Sequence, residues 1–136
     1  MKAVSTAIYS KLSGSALATA VSGRFFKGEA PEGSDFPYVV YGLVSDVPDN
    51  VFAKHGEESR WQFDLFSAAS SSGEVEDLYA YLRALYDECD LTITSQTHIW
   101  MRRENAILMV EDYVTPAGTQ KVWHYSVDYE IRTEFT

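Results

Sequence analysis

Apolar residues recur at helical spacing between Val4 and Val21. A Ser-Gly-Ser break at residues 13–15 divides them into a first helix and a short second helical turn, which Gly23 ends. The positions that share this spacing are Val4, Ile8, Leu12, Leu17, Ala20 and Val21. The chain is therefore predicted to begin with a kinked amphipathic helix.

Three extended segments are predicted next. Arg24–Lys27 is a short strand, Pro37–Ser45 is rich in β-branched and aromatic residues, and Arg60–Ser67 alternates apolar with polar positions. The Pro37–Ser45 strand is apolar on both faces, which is typical of a strand covered twice. Helices of the same chain can cover one face, and either a neighbouring subunit or a second internal layer can cover the other.

A second helix is indicated after Ser71. Ser71 and Glu74 have the spacing of a capping box, and acidic residues crowd the first turn. An apolar stripe then continues to residue 89, and we expect it to face the core. Its members are Val75, Leu78, Leu82, Leu85 and Cys89.

Two long extended segments close the chain, roughly Thr97–Tyr113 and Lys121–Glu134, joined by the turn sequence TPAGT. Alternate residues of the second segment face opposite ways. One face carries Trp123, Tyr125, Val127, Tyr129 and Ile131, and the other carries His124, Ser126, Asp128, Glu130 and Arg132. The pattern predicts an α+β fold: an antiparallel sheet of about four to five strands, with an N-terminal helix and a second helix packed on one face. We expect residues 1–136 to form a single domain.

The segment Asp46–Ser59 is predicted as a loop, and it is long for a hairpin connection. Apolar residues stand among charged ones there, so we expect the loop to order on contact with a neighbour and to form an assembly interface. Its candidate contact residues are Val47, Asp49, Val51, Phe52, Lys54, His55 and Glu57. The runner-up interface is the polar face of the closing hairpin, around His124, Asp128 and Arg132.

The net charge of the chain argues against some classes of function. The chain has 20 acidic and 11 basic residues, for a formal net charge of −9, which repels phosphate backbones and argues against direct binding of DNA or RNA. No apolar run approaches the length of a membrane span, and the N-terminal stretch is expected to be mature protein. The single cysteine, Cys89, excludes an intramolecular disulfide and mildly favours a cytoplasmic setting.

The histidines do not predict a catalytic or metal site. His98 and His124 fall far apart along the closing hairpin, and His55 has no second ligand near it in the sequence. Cys89 stands among acidic residues, which disfavour a reactive thiolate. Phosphate-binding glycine loops and the common hydrolase and metalloprotease motifs are absent from the sequence, so no cofactor or metal is predicted.

Two other functions stay open on the residues alone. One is a small monomeric binding module that holds its ligand on an aromatic sheet face around Trp61, Trp123 and Tyr125. The other is an enzyme centred on His124 and Asp128, because imidazole beside carboxylate is the usual arrangement of a general base. Neither has a motif to support it.

The order KLSGSALATAVSGRFFKGEAPEGSDFPYVVYGLVSDVPD, followed by RWQFDLFSAASSSGEVEDLYAYLRALYD, resembles the tail-completion family of long-tailed bacteriophages and gene-transfer particles, which includes tail terminator and tail-to-head joining proteins. Each motif alone is weak, and the ordered series is more specific. The matching residues are Gly23, Arg24, Phe25, Ala30, Pro31, Gly33, Pro37, Tyr38, Val39, Val40, Tyr41, Ser45, Asp46 and Pro48.

The resemblance implies a structural virion protein rather than an enzyme. Such a protein forms a ring, usually of six copies, at the head-proximal end of the tail tube, where it stops tube polymerisation and offers a docking surface for the head connector. The implied partners are further copies of itself, the tail tube protein and the head–tail connector proteins, with DNA only as passing cargo and no membrane. Its implied location is the virion, after assembly in the host cytoplasm.

Overall fold

A computed structural model describes residues 1–51 and 54–136. The described chain forms three helices and one five-stranded sheet, with the strand order β1-β2-β3-β5-β4. In chain order the elements are α1 (Lys2–Leu12), α2 (Ala16–Ala20), β1 (Phe25–Lys27), β2 (Tyr38–Val51), β3 (Lys54–Ser67), α3 (Gly73–Tyr86), β4 (Gln96–Thr115) and β5 (Gly118–Phe135). This confirms the predicted α+β class.

The sheet departs from the prediction at its first strand. β1 pairs parallel with β2, from Phe25 opposite Val39 to Lys27 opposite Tyr41, and the other pairs are antiparallel. The segment 28–37 brings the chain back to the end of the sheet where β1 began, so the two strands run the same way. Beyond Tyr41, no strand formed by the described residues pairs with β2 on its outer side, so this part of β2 is an open edge.

The predicted kink separates α1 from α2. Gly14 adopts a φ of +77°, which an L-residue rarely accepts, and the Ser15 side chain accepts a hydrogen bond from the backbone N–H of Ala18 at 3.2 Å. The break thus ends one helix and caps the next.

The core lies between the helices and one face of the sheet, here called the inner face. Its fully buried members include Val39, Phe63, Leu65, Val127, Tyr129 and Ile131 from the strands and Ile8, Leu12, Val75, Leu78 and Leu82 from the helices. Tyr86 also lies in this core, and its hydroxyl donates to the Ile8 carbonyl at 2.8 Å, which ties α3 to α1. The predicted stripe of α3 is confirmed at Val75, Leu78 and Leu82.

The predicted ends of α3 were wrong. Ser72 is the N-cap and makes no side-chain cap bond, while Glu74 instead accepts a hydrogen bond from the Ser67 hydroxyl at 2.6 Å. The helix ends at Tyr86 rather than near Cys89. Glu88 has a φ of +51°, and its N–H donates to the Met101 carbonyl, so the chain leaves the helix to contact β4.

The strand predicted to be covered twice is covered on its inner face. Val39 and Tyr41 are buried under the helices, whereas Leu43 and Val44 are exposed at a β-bulge that lies between Leu43 and Ser45. Within the described residues, the opposite face of the sheet, here called the outer face, carries no helix. The internal second layer considered from the sequence is therefore absent from this part of the chain.

Candidate assembly interface

The predicted assembly loop is a β-hairpin. Asp46–Val51 continues β2 and pairs with Lys54–Ser59 of β3, so the prediction of a loop was wrong. Pro48 suggested a strand end, yet it is tolerated because β2 is an edge strand at this point and a missing N–H costs no ladder bond on the open side. Phe52 lies outside the described residues, and only the backbone is described at Val51 and Lys54.

The remaining candidate contact residues lie along this hairpin in different settings. Val47 is 56% exposed, His55 is exposed with its Nδ1 3.1 Å from the Asn50 side-chain oxygen, and Glu57 is half-buried. Asp49 is tied to Arg132 of β5 by an ion pair. Among these described contact residues, Val47 is an exposed apolar side chain, and Asp49 is held in an ion pair within the fold.

Arg132 anchors the hairpin to the sheet. Its side chain is only 9% exposed and is ion-paired with Asp49 of β2, while Glu58 of β3 and Glu134 of β5 each lie 3.9 Å from its guanidinium nitrogens. Buried charge of this kind requires pairing, which the three carboxylates supply. The expectation that Arg132 stands on an exposed docking face is therefore not met.

His124 is also held inside a cluster. Its Nε2 lies 2.7 Å from Asp64 Oδ1 on β3, its Nδ1 lies 2.9 Å from Glu111 Oε1 on β4, and its ring stacks on Phe66 at 4.3 Å. Burial lowers the pKa of His124, but hydrogen bonds to the two carboxylates outweigh it and raise the pKa above its usual value. Burial raises the pKa of Asp64, but hydrogen bonds from His124 and Gln62 outweigh it and lower the pKa below its usual value. The geometry favours an imidazolium, since only that form has an N–H for each carboxylate.

The pairing of His124 with Asp128 does not occur. Asp128 is four residues away on the same strand, which is about 13 Å in a β-strand. His98 is opposite Thr133 and His124 is opposite Met109, so the two histidines are about 30 Å apart along β5, as expected.

The remaining chemistry-bearing side chains do not form a reactive site. The two carboxylates of the His124 cluster bind opposite ring nitrogens and do not converge, and no group of His, Cys, Asp or Glu side chains within the described part of the chain is arranged to hold a metal ion. Burial raises the pKa of Cys89 to about 11, which keeps it a thiol at neutral pH. No helix of residues 1–51 and 54–136 combines the length and apolar content needed to cross a bilayer.

The aromatic sheet face proposed for a binding module is covered. Trp61 is 1% exposed, and Tyr125 stacks on Tyr79 of α3 with ring centroids 4.1 Å apart. Trp123 packs against the core as a partly buried residue. These rings face the helices, so the surface on which that alternative depends is not available.

Sequence reasoning missed an aromatic cluster at one end of the outer face. The segment 30–36 and the end of β4 enclose a cleft of about 610 Å³, here called the aromatic cleft, whose lining includes Phe36, Tyr38, Tyr113, Val114 and Glu32. The Phe36 ring lies 5.2 Å from the Tyr38 ring and 6.5 Å from the Tyr113 ring. Phe36 and Tyr38 are close in sequence, but Tyr113 comes from the far end of β4, so no local motif could have revealed the cleft.

A second missed surface is the open edge of β2. Leu43, Val44 and Val47 are all exposed within five residues of one strand that lacks an outer neighbour. Exposed apolar residues on an open strand edge are a recognised site of chain association. The sequence indicated part of this surface, because Leu43 and Val44 lie in the predicted Pro37–Ser45 strand and Val47 is a predicted contact residue of the Asp46–Ser59 segment.

The family model for tail completion protein gp17 matches residues 6–134 of the chain. The chain belongs to this family. The predicted resemblance is thereby confirmed, and this tail completion protein is a structural component of a bacteriophage-type virion. No curated protein sequence matches it.

Solved structures share the fold of this tail completion protein. A chain from the virion of a native gene transfer agent (GTA) particle superimposes with a TM-score of 0.77 at 15% sequence identity, covering 98% of this chain and 96% of that one. A second solved chain has a TM-score of 0.56 at 12% identity, covering 96% of this chain and 94% of that one. At these identities the similarity is one of fold.

Proposed function

We propose that residues 1–136 form a single tail-terminator-like domain whose copies assemble into a ring, of six subunits, at the head-proximal end of the tail tube. The ring stops polymerisation of the tube and presents a docking surface to the head connector. It assembles in the host cytoplasm and acts without catalysis. The match of the tail completion family to residues 6–134 is the observation that carries this proposal.

The partners follow from that role: further copies of the chain, the tail tube protein and the head–tail connector proteins. DNA is passing cargo. Each copy carries a formal charge of −9, so every subunit added makes the ring more negative and less adhesive to a phosphate backbone.

The β2–β3 hairpin is the interface we propose for contact between copies. A closed ring of identical subunits requires a surface that meets a different surface of the next copy, and an open strand edge with apolar side chains suits one half of such a contact. Leu43, Val44 and Val47 supply those side chains. The face at His124, Asp128 and Arg132 is the weaker candidate, because His124 and Arg132 are turned into the sheet.

The test uses point substitutions, since removing Asp46–Ser59 would also remove residues 56–59, which pair with β5. Val47→Asp places a charge on an exposed position, so we expect normal thermal unfolding and loss of rings. Tyr81→Asp, on the exposed side of α3, is the control and should still form rings. Electron microscopy and light scattering, with and without purified tail tubes, give the readout.

Two outcomes would count against the proposal at different levels. Rings formed by Val47→Asp as readily as by the wild type would show that the β2 edge is not the interface. Wild-type protein that neither forms rings nor limits the length of tubes would reject the terminator function itself.

A further inference from the structure

We propose that the aromatic cleft is a docking site for a lysine- or arginine-bearing segment of a partner protein. The site is built within one chain and does not depend on ring formation. Three observations lead to it: the arrangement of the rings, the sign of the charge around them, and the way the cleft is held open.

Three aromatic rings line the cleft, and two of them pack against each other, with the Phe36 and Tyr38 centroids 5.2 Å apart. Phe36 belongs to the segment after β1, Tyr38 begins β2, and Tyr113 lies near the end of β4, and all three are half-buried. Aromatic faces carry negative charge density and attract ammonium and guanidinium groups, so a ring that lines the cleft can contact the charged end of a Lys or Arg side chain. The exposed Val114 beside them adds an apolar contact for the stem of a long side chain.

The carboxylates at the cleft are Glu32 and Glu111, and the cations near it are already bound: Arg24 to the Phe36 and Pro37 carbonyls, and His124 to Glu111. Glu32 lines the cleft, and Glu111 accepts a hydrogen bond from the Tyr113 hydroxyl at 3.2 Å. Burial and the charge of Glu111 together raise the pKa of Tyr113 to about 12, and they raise the pKa of Tyr38 as well. None of the residues that line the cleft is basic. A cation therefore gains both from the rings and from the field of the carboxylates.

The cleft is held in shape from both sides. On one side Arg24 donates from Nε to the Pro37 carbonyl and from Nη2 to the Phe36 carbonyl, each at 3.1 Å. On the other side Glu111, which positions Tyr113, is bound by His124 at 2.9 Å. A preformed cleft loses little conformational entropy when it binds a ligand, so a short peptide segment suffices.

A basic segment of another protein fits better than a second copy of this chain. Each copy carries a net charge of −9, which attracts a basic partner to the acidic cleft more strongly than an equally negative second copy. The occupant we assign is therefore a Lys- or Arg-bearing segment of a different protein.

The experiment is a titration of the ¹⁵N-labelled full chain followed by NMR. The probe is a blocked peptide with a central Pro-Lys-Pro between Gly and Ser flanks, and matched peptides carry Arg, norleucine or Glu in place of Lys. We expect the Lys and Arg peptides to shift amide signals of residues 30–38 and 111–115, with about tenfold tighter binding than norleucine and weaker binding as salt is raised.

Two pairs of variants make the test specific. Glu32→Lys should weaken binding of the Lys peptide about fivefold or more, while Asp77→Lys makes the same change in net charge on exposed α3 and should leave binding unchanged. Tyr113→Ala should weaken binding about tenfold, and Tyr113→Phe, which keeps the ring, should retain it.

Several results would overturn the proposal. If the norleucine or Glu peptide binds as tightly as the Lys peptide, the cleft does not recognise a cation. If Glu32→Lys and Asp77→Lys weaken binding equally, the peptide responds only to the net charge of the protein. Signals of the cleft that shift with protein concentration before any peptide is added would identify a second copy as the occupant and reject a foreign segment.

Discussion

Arg132 fills the space that a side chain on Gly56 would occupy. A Cβ placed on Gly56 would lie 3.1 Å from Arg132 Nη2, and 2.8 Å from the backbone oxygens of both Asp49 and Thr133. Atoms of three strands therefore surround the Cα of Gly56. Glycine is required there because a larger side chain would collide with them, and not because of its backbone dihedral angles.

Gly56→Ala should destabilise the protein by about 1–3 kcal/mol, because the oxygens that the new methyl group meets belong to the backbone and cannot rotate away. Gly73→Ala is the control, since its nearest contact would be an ordinary 3.6 Å to the Ser71 hydroxyl oxygen. It should be neutral or stabilising by up to about 1 kcal/mol. Chemical denaturation of both variants measures the difference. Equal stabilities would show that the strands are not tightly packed at residue 56.

Arg132→Met should cost about 2–3 kcal/mol. Breaking a buried ion pair costs roughly 3–5 kcal/mol, and the loss is smaller here because Asp49 and Glu58 are more than a third exposed. Arg102→Met removes a surface pair with Glu88 and should change stability by less than about 1 kcal/mol. If the two variants unfold at the same denaturant concentration, Arg132 does not anchor the hairpin.

Leu82→Ala should cost about 2–5 kcal/mol, because the side chain is fully buried and its removal leaves a cavity among α3, α1 and the sheet. Asp77→Ala, on the exposed side of the same helix, should stay within about 0.5 kcal/mol of the wild type. Urea unfolding curves give both values. A loss below about 0.5 kcal/mol for Leu82→Ala would contradict the packing described above.

The His124 cluster should make stability fall as the pH rises above about 6.5. The folded pKa of His124 is raised, so its stabilising contribution is fully present below the unfolded value of about 6.5 and is lost as the pH rises through the folded pKa. We expect the stability difference between the wild type and His124→Gln to shrink over that window. Melting temperatures across the pH range test this, and an NMR titration of His124 that gives a pKa below 6.5 would contradict it.

His124, His98 and Cys89 should each be replaceable without loss of particle assembly, because the structure gives His124 a role in holding strands and the other two no chemical partner for catalysis. The measurement is the yield of infectious or complete particles from single variants. If a stably folded His124→Gln protein fails to support assembly, the prediction is wrong, and a catalytic or metal-binding role for His124 would have to be tested.

Periodicity predicted the parts of the fold that are decided locally. The stripe at Val75, Leu78 and Leu82 and the alternation of β5 depend on which side chains face the helices, and that choice is visible in the sequence. The same reasoning failed at Asp46–Ser59, where Pro48 and charged residues indicated a loop. Pairing with β5 and the buried Arg132 hold that segment as strands, and both are separated from it by more than 70 residues.

The candidate surfaces were predicted less well than the fold for a related reason. An exposed edge at Val44 and Val47 depends on β1 ending opposite Tyr41, and an aromatic cleft depends on Phe36 meeting Tyr113 across the sheet. Both are consequences of strand order. The turn TPAGT predicted that β4 pairs with β5, whereas the sequence carries no signal that β1 pairs with β2 or that β5 pairs with β3.

The strand order has a consequence for synthesis of the protein. β5 follows every other strand in the chain, yet it is inserted between β3 and β4 and pairs with both. While the ribosome is still making β5, β4 has no partner and one edge of β3 is bare, so the nascent sheet is split through its middle. Ribosome stalling or a premature stop within β5 would therefore release a chain with two exposed strand edges, a species prone to aggregate rather than a slightly shortened native protein.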